Sequence, residues 1–180
     1  MSRIYIIALP IEVNNEIEIN GDIICFSGVG KINAAITATR VCLLKPDEII
    51  NLGSCGSLLL PPGEIVEVGK VYQDIDGTPL YEYGVTPFED DKEIILNNSS
   101  FTCFTTDYFV DMSQKQKYSK NYLDTIQKVS IFDMECFSIA KTCFKFNIPF
   151  RAIKWVSDNG DGVDWQDNCI INFEKVKKMI

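Results

Sequence analysis

Histidine is absent from the 180 residues, arginine occurs only at positions 3, 40 and 151, and the seven cysteines contain no C-x-x-C pair. Without imidazole there is no Ser-His or Cys-His nucleophile pair, no mixed Cys/His zinc site and no histidine acid–base chemistry. Catalysis near neutral pH then falls to carboxylates, Lys, Tyr, Cys, backbone groups or a borrowed ion. The cysteines (25, 42, 55, 103, 136, 143, 169) are odd in number and scattered, mostly among apolar neighbours, as in Ile24-Cys25-Phe26 and Val41-Cys42-Leu43. That pattern indicates reduced core thiols in a cytoplasmic protein, not a disulfide frame or a zinc site. No apolar run approaches membrane-spanning length, and Met1–Ala8 enters a strand with too little charge and length for a signal peptide. A net charge of −8 repels a phosphate backbone, so the expected partner is a small, weakly charged molecule, with neither nucleic acid nor membrane.

What is present is ordinary globular material. Hydrophobic residues make up 46% and charged residues 23% without a low-complexity tract, and the length suits one domain over 1–180 with a real core. Apolar, β-branched runs predict strands at Ile4–Leu9, Ile23–Ser27, Glu48–Leu52, Ile65–Tyr72, Phe101–Thr105, Ser130–Phe132 and Phe150–Val156. Helices are predicted at Lys31–Leu44, Gln114–Asn121, Met134–Phe146 and Asn172–Met179. In the first, Ile32, Ala35, Ile36, Thr39, Val41 and Leu43 form an apolar stripe; Asp133 can cap the third, which Asn147 and Pro149 close. Alternating strands and helices predict an α/β sheet covered on both sides. The least regular stretch, Asp74–Asn98, is read as a loop over a site or against a second subunit.

Ligands of such sheets bind beyond the carboxyl ends of strands. Four polar clusters stand there: Pro10-Ile11-Glu12, Ser27-Gly28-Val29-Gly30-Lys31, Asn51-Leu52-Gly53-Ser54-Cys55-Gly56 and Ser157-Asp158-Asn159-Gly160-Asp161. Neither glycine loop is a P-loop, since Ile32 rather than Ser or Thr follows Lys31 and Cys25 replaces the upstream glycine; Gly28-x-Gly30 also lacks the third glycine of a dinucleotide fingerprint, because position 33 is Asn. Taken singly, Asp158 fits a turn, Glu12 a solvated helix and Glu135 a helix start. Together the three carboxylates converge on one rim.

In order along the chain, these segments resemble the nucleoside phosphorylase/nucleosidase superfamily, and most of all the 5′-methylthioadenosine/S-adenosylhomocysteine nucleosidases. The matching pieces include Gly28–Ala35, Ile50–Gly56, Gln73–Asp76, Tyr81–Gly84, Thr105–Val110, Asp133-Met134-Glu135 and Val156-Ser157-Asp158. The resemblance implies a single-domain three-layer α/β/α sandwich with a mixed central sheet. It implies Asp158 as the acid that protonates the departing purine and Glu12 as the carboxylate that deprotonates the attacking water. It gives Met134 and Glu135 to the ribose, Ser54 to the water and sugar, Phe109 to stacking on the base and the Val110 backbone to the base edge. Leu9, Leu80 and Tyr81 fall where the family lines the 5′-substituent pocket, Tyr81 from a second subunit, so a homodimer is expected. Trp165 matches loosely an aromatic that closes this pocket. No metal or organic cofactor is implied.

Lys154 stands where these nucleosidases usually have arginine, near the ribose carboxylate and water, keeping the charge but losing the bidentate fork. Related phosphorylases carry arginine at Asn51 and an arginine loop at Pro10-Ile11-Glu12, and a carboxylate at Glu12 repels phosphate, so hydrolysis is favoured. Two alternatives stay open: a phosphorylase or hydrolase of another purine nucleoside, and an inactive nucleoside-binding member, suggested by Lys154 and reduced length.

Overall fold

The computed structural model describes residues 2–14, 18–19, 21–77, 79–89, 92–161, 164–171 and 173–180. The first half runs β1 (Arg3–Ile7), a 3-10 helix (Pro10–Val13), β2 (Glu18–Ile19), β3 (Asp22–Phe26), α1 (Lys31–Cys42) and β4 (Glu48–Gly56). Then come β5 (Ile65–Glu67), β6 (Lys70–Gln73), β7 (Ile94–Ile95), β8 (Thr102–Thr105), a second 3-10 helix (Met112–Lys117) and α2 (Lys120–Ile126). The chain continues through β9 (Ile131–Asp133), α3 (Cys136–Phe146), β10 (Phe150–Asp158), α4 (Asp164–Asn168) and α5 (Phe173–Val176).

Among the described residues, all ten strands join one mixed sheet. β3, β1, β4 and β10 are parallel, as are β6, β8 and β9, and the two groups meet where Gly56 of β4 bridges Phe132 of β9. Side chains of β1 alternate between layers. Ile4 and Ile6 pack with Ala34 and Ala38 of α1 and Ile139 and Cys143 of α3, while Tyr5 and Ile7 join Val13, Ile171 and Val176 on the opposite face. The fold is an α/β sandwich, as expected.

Several elements depart from the sequence reading. The strand expected over Ile65–Tyr72 is two strands: β5 pairs with β10, β6 with β8, and the chain changes partner at Val68-Gly69. Gly69 permits the crossing, because a Cβ there would lie 1.9 Å from the Ser99 carbonyl oxygen. The segment Asn51–Gly56, expected to follow a strand, is itself the carboxyl half of β4. The helix expected at Gln114–Asn121 is replaced by the second 3-10 helix and α2, divided by extended Tyr118 and by Ser119, whose hydroxyl caps the Tyr122 N–H at 3.1 Å. The expected Asn172–Met179 helix is regular only over Phe173–Val176, and Asn172 lies outside the described residues.

The stripe expected on α1 is buried only at Val41, and its large members Ile32, Ile36 and Leu43 face outward. The buried residues are Ala34, Ala38, Val41 and Cys42, because close packing of α1 on α3 admits small side chains and turns the large ones outward. α3 begins two residues later than expected, at Cys136, whose N–H is bound by the Asp133 carboxylate at 2.9 Å, and Asn147 closes it in the left-handed conformation. No helix among the described residues is long and apolar enough to cross a membrane.

Candidate active site

A cavity of about 280 Å³ opens at the carboxyl ends of β1, β4, β8, β9 and β10. Each strand delivers its polar residue as it leaves the sheet, which is why five separated stretches of sequence meet there. Glu12, Ser54, Asp158 and Glu135 line the cavity, with Leu9, Phe109, Val110, Met134 and Trp165.

Glu12 is held by three donors. Its Oε1 accepts from the Ser54 amide at 2.8 Å and hydroxyl at 2.6 Å, and its Oε2 accepts from the Leu9 amide at 2.9 Å. The Ser54 oxygen in turn accepts from the Trp165 indole N–H at 3.1 Å. Trp165 stands edge-on to Phe109, ring centres 6.1 Å apart, so α4 and the segment after β8 share one aromatic wall.

Glu135 meets the start of α1. Gly30, at φ 95° in a region that favours glycine, gives its amide to Glu135 Oε1 at 2.8 Å. The glycine loop thus presents its helix amide to the chain's own carboxylate. Burial, reinforced by Asp133, pushes the Glu135 pKa up to about 7, while Lys154 and the Gly30 amide oppose the rise and Glu12 adds to it.

Asp158, 4% exposed, ends β10. Its Oδ1 accepts from the Gly160 amide and its Oδ2 from the Ser157 hydroxyl, both at 2.8 Å. The same hydroxyl lies 3.0 Å from the Cys55 carbonyl oxygen. With one hydrogen and two acceptors, Ser157 can turn to Cys55 and accept a bond from a protonated Asp158.

Three expected site residues stand elsewhere. Leu80, 84% exposed, and Tyr81, edge-on to Phe88 at 5.8 Å, do not line this cavity, nor does any described residue of the irregular 74–98 stretch. Lys154 lies behind the wall, 1% exposed, bound to Asp133 Oδ2 at 2.8 Å. Burial works against its charge, yet Asp133 and other neighbours hold its pKa above the ordinary lysine value. Sequence reasoning missed the Asp133–Lys154 pair, whose members are distant in sequence and carry no local signal of meeting. It also missed Thr106 and Tyr108 as wall residues, though both fall in the Thr105–Val110 segment.

No lysine or arginine among the described residues lines the cavity. Cys103, Asp133 and Cys136 bring two thiols and a carboxylate within 4.8 Å of one another, but the Lys154 ammonium already sits on that carboxylate and opposes a further cation.

The sequence model of the phosphorylase superfamily matches residues 20–130. The 5′-methylthioadenosine/S-adenosylhomocysteine nucleosidase of Staphylococcus aureus strain JH9 is 34% identical over 166 residues, covering 78% of this chain and 69% of that protein. The chain belongs to this nucleosidase family of the phosphorylase superfamily. Solved structures agree on the superfamily fold. That of the S. pneumoniae 5′-methylthioadenosine/S-adenosylhomocysteine nucleosidase, with a transition-state inhibitor, has a TM-score of 0.80 at 20% identity, covering 94% of this chain and 92% of the other. Futalosine hydrolase of Helicobacter pylori has a TM-score of 0.78 at 19% identity, covering 93% and 91%.

Proposed function

We propose that this chain, as one catalytic domain, hydrolyses the N-glycosidic bond of 5′-methylthioadenosine and S-adenosylhomocysteine and releases adenine. The observation that carries the proposal is the meeting of Glu12, Glu135 and Asp158 on one cavity whose described wall has no cationic side chain, in a chain 34% identical to a nucleosidase of these substrates. A phosphate dianion finds no fork there and three carboxylates to repel it, whereas water is suited to such a site.

Asp158 acts as the acid. A purine anion leaves poorly, and a proton delivered as the bond stretches contributes roughly 10²–10⁴-fold. Ser157, by turning its hydrogen to Cys55, supports the protonated form before transfer. Glu12, oriented by the Leu9 and Ser54 amides, takes the proton of the attacking water. Glu135 accepts the ribose hydroxyls, with Met134 against the sugar, and the carboxylates stabilise the positive charge that develops on it. Phe109 stacks on the base and the Val110 backbone reads its edge. Leu9 and Trp165 enclose the 5′-substituent. Leu80 and Tyr81 serve the 5′-substituent pocket as well, Tyr81 from a second subunit, which makes the working form a homodimer. Seven free thiols suit a cytoplasmic setting.

The test is adenine release from 5′-methylthioadenosine in phosphate-free buffer, with Asp158→Asn alongside. Release by the wild type and its loss in the variant are expected, with nucleoside binding retained. Strict dependence on phosphate would overturn hydrolysis, and binding without turnover would make the chain a nucleoside-binding member.

A further inference from the structure

One buried ion pair takes no part in the chemical steps. The Lys154 and Asp133 side chains, each 1% exposed, meet at 2.8 Å. Asp133 borders the cavity, but its oxygens are committed elsewhere. Oδ1 faces the Thr105 hydroxyl at 2.7 Å and the Cys103 thiol at 3.4 Å, while Oδ2 binds the Cys136 amide at 2.9 Å as well as Lys154. The Thr105 oxygen also accepts from the Phe137 amide at 2.8 Å. Lone pairs so used are not free for a substrate.

Desolvation offsets most of the attraction in a buried pair, so stability alone explains it poorly. What the pair encloses is the span Met134-Glu135. Before that span, Asp133 is tied to β10 through Lys154 and to β8 through Thr105; after it, the Cys136 amide donates to Asp133 and the Phe137 amide to Thr105. The charged and polar groups facing Glu135 are Asp133 from β9, Lys154 from β10, Glu12 from the first 3-10 helix and the Gly30 amide from the start of α1. A Cβ at Gly53 would lie 3.4 Å from Lys154 Nζ and 3.7 Å from Glu12 Oε1, so the ammonium and the second carboxylate both border Gly53 of β4.

We propose that Lys154 and Asp133 are a positioning pair for Glu135: neither touches the nucleoside, and together they hold the sugar-binding carboxylate in place to accept the ribose hydroxyls. The inference rests on the reading of Glu135 given above. The two members act on Glu135 with opposite sign, Lys154 favouring its anionic form and Asp133 its protonated one.

The experiment compares Lys154→Met, Asp133→Asn and the double variant with wild type, measuring kcat and KM for adenine release from 5′-methylthioadenosine from about pH 5 to 9. In the wild type, KM rises as Glu135 takes up its proton near pH 7. Lys154→Met moves this limb to higher pH and Asp133→Asn to lower pH, each by about one pH unit. On the sloping limb that equals about a tenfold difference in KM at fixed pH. The double variant returns toward the wild type. Limbs displaced in the same direction, or unmoved limbs with kcat alone reduced, overturn the inference. Lys154→Met strands a buried carboxylate; where it does not fold, Asp133→Asn against the neutral double variant decides, since the first must lower the limb and the second restore it. A wild type that releases no adenine fails the functional reading itself, and the inference falls with it.

Discussion

Replacing Glu135 by Gln removes a charge that the fold keeps out of water. Glu135 is 6% exposed, and burial first, then Asp133, raise its pKa from 4.5 to about 7. The folded value is the higher, so the native chain binds this proton more tightly than the unfolded chain. The resulting contribution to stability is complete below about pH 4.5 and is lost as pH rises through about 7. The full loss is on the order of 3 kcal/mol, at roughly 1.4 kcal/mol per pH unit. Gln matches the shape, keeps an oxygen for the Gly30 amide and does not titrate, though its new amide hydrogens require acceptors. Urea unfolding of both proteins at about pH 5 and pH 8 is the assay. The stability of Glu135→Gln relative to wild type should rise by about 2 kcal/mol between the two conditions, while nucleoside turnover falls. A difference that stays constant with pH would refute the assignment of a raised Glu135 pKa, whatever the absolute stabilities.

Two further perturbations address the site and the sheet. Ser54→Ala deprives Glu12 of a hydroxyl donor and Trp165 of its acceptor; a hydrogen bond to a charged group is worth about 1.5–3 kcal/mol, so kcat/KM for adenine release should fall roughly 10- to 100-fold. Trp165→Phe, which keeps a ring but loses the N–H, should fall less, and an unchanged Ser54→Ala would remove Ser54 from the orientation of Glu12. Gly69→Ala forces a Cβ against the Ser99 carbonyl and should lower stability by about 1–3 kcal/mol, read as a lower urea midpoint; full stability would show that the β5–β6 crossing does not depend on glycine.

Legibility differed between the site and its supports. Glu12, Ser54, Glu135 and Asp158 could be picked out because each follows a strand-like run, and strand ends of an α/β sheet face one rim. The supports were less visible for definite reasons. The match to the family's arginine places Lys154 near the ribose carboxylate and water, but position along β10 does not reveal that Asp133 lies across the sheet to hold it. The crossing at Gly69 depends on contact with Ser99, thirty residues on, and local apolar content alone continues the strand. In α1, hydrophobicity favoured Ile32 and Ile36 as core, but packing against α3 selected Ala34 and Ala38 by size.

The two indoles of the chain occupy very different surroundings. Trp155 is 4% exposed and ties its N–H to the Cys169 carbonyl within the core, whereas Trp165 stands on the cavity wall beside Phe109 and Ser54. Their emission therefore divides into a steady background and a signal sensitive to occupancy. Removing the second indole with Trp165→Phe leaves the background alone, so the protein carries its own optical probe, and filling of the cavity can be followed in real time without a label or a coupled reaction.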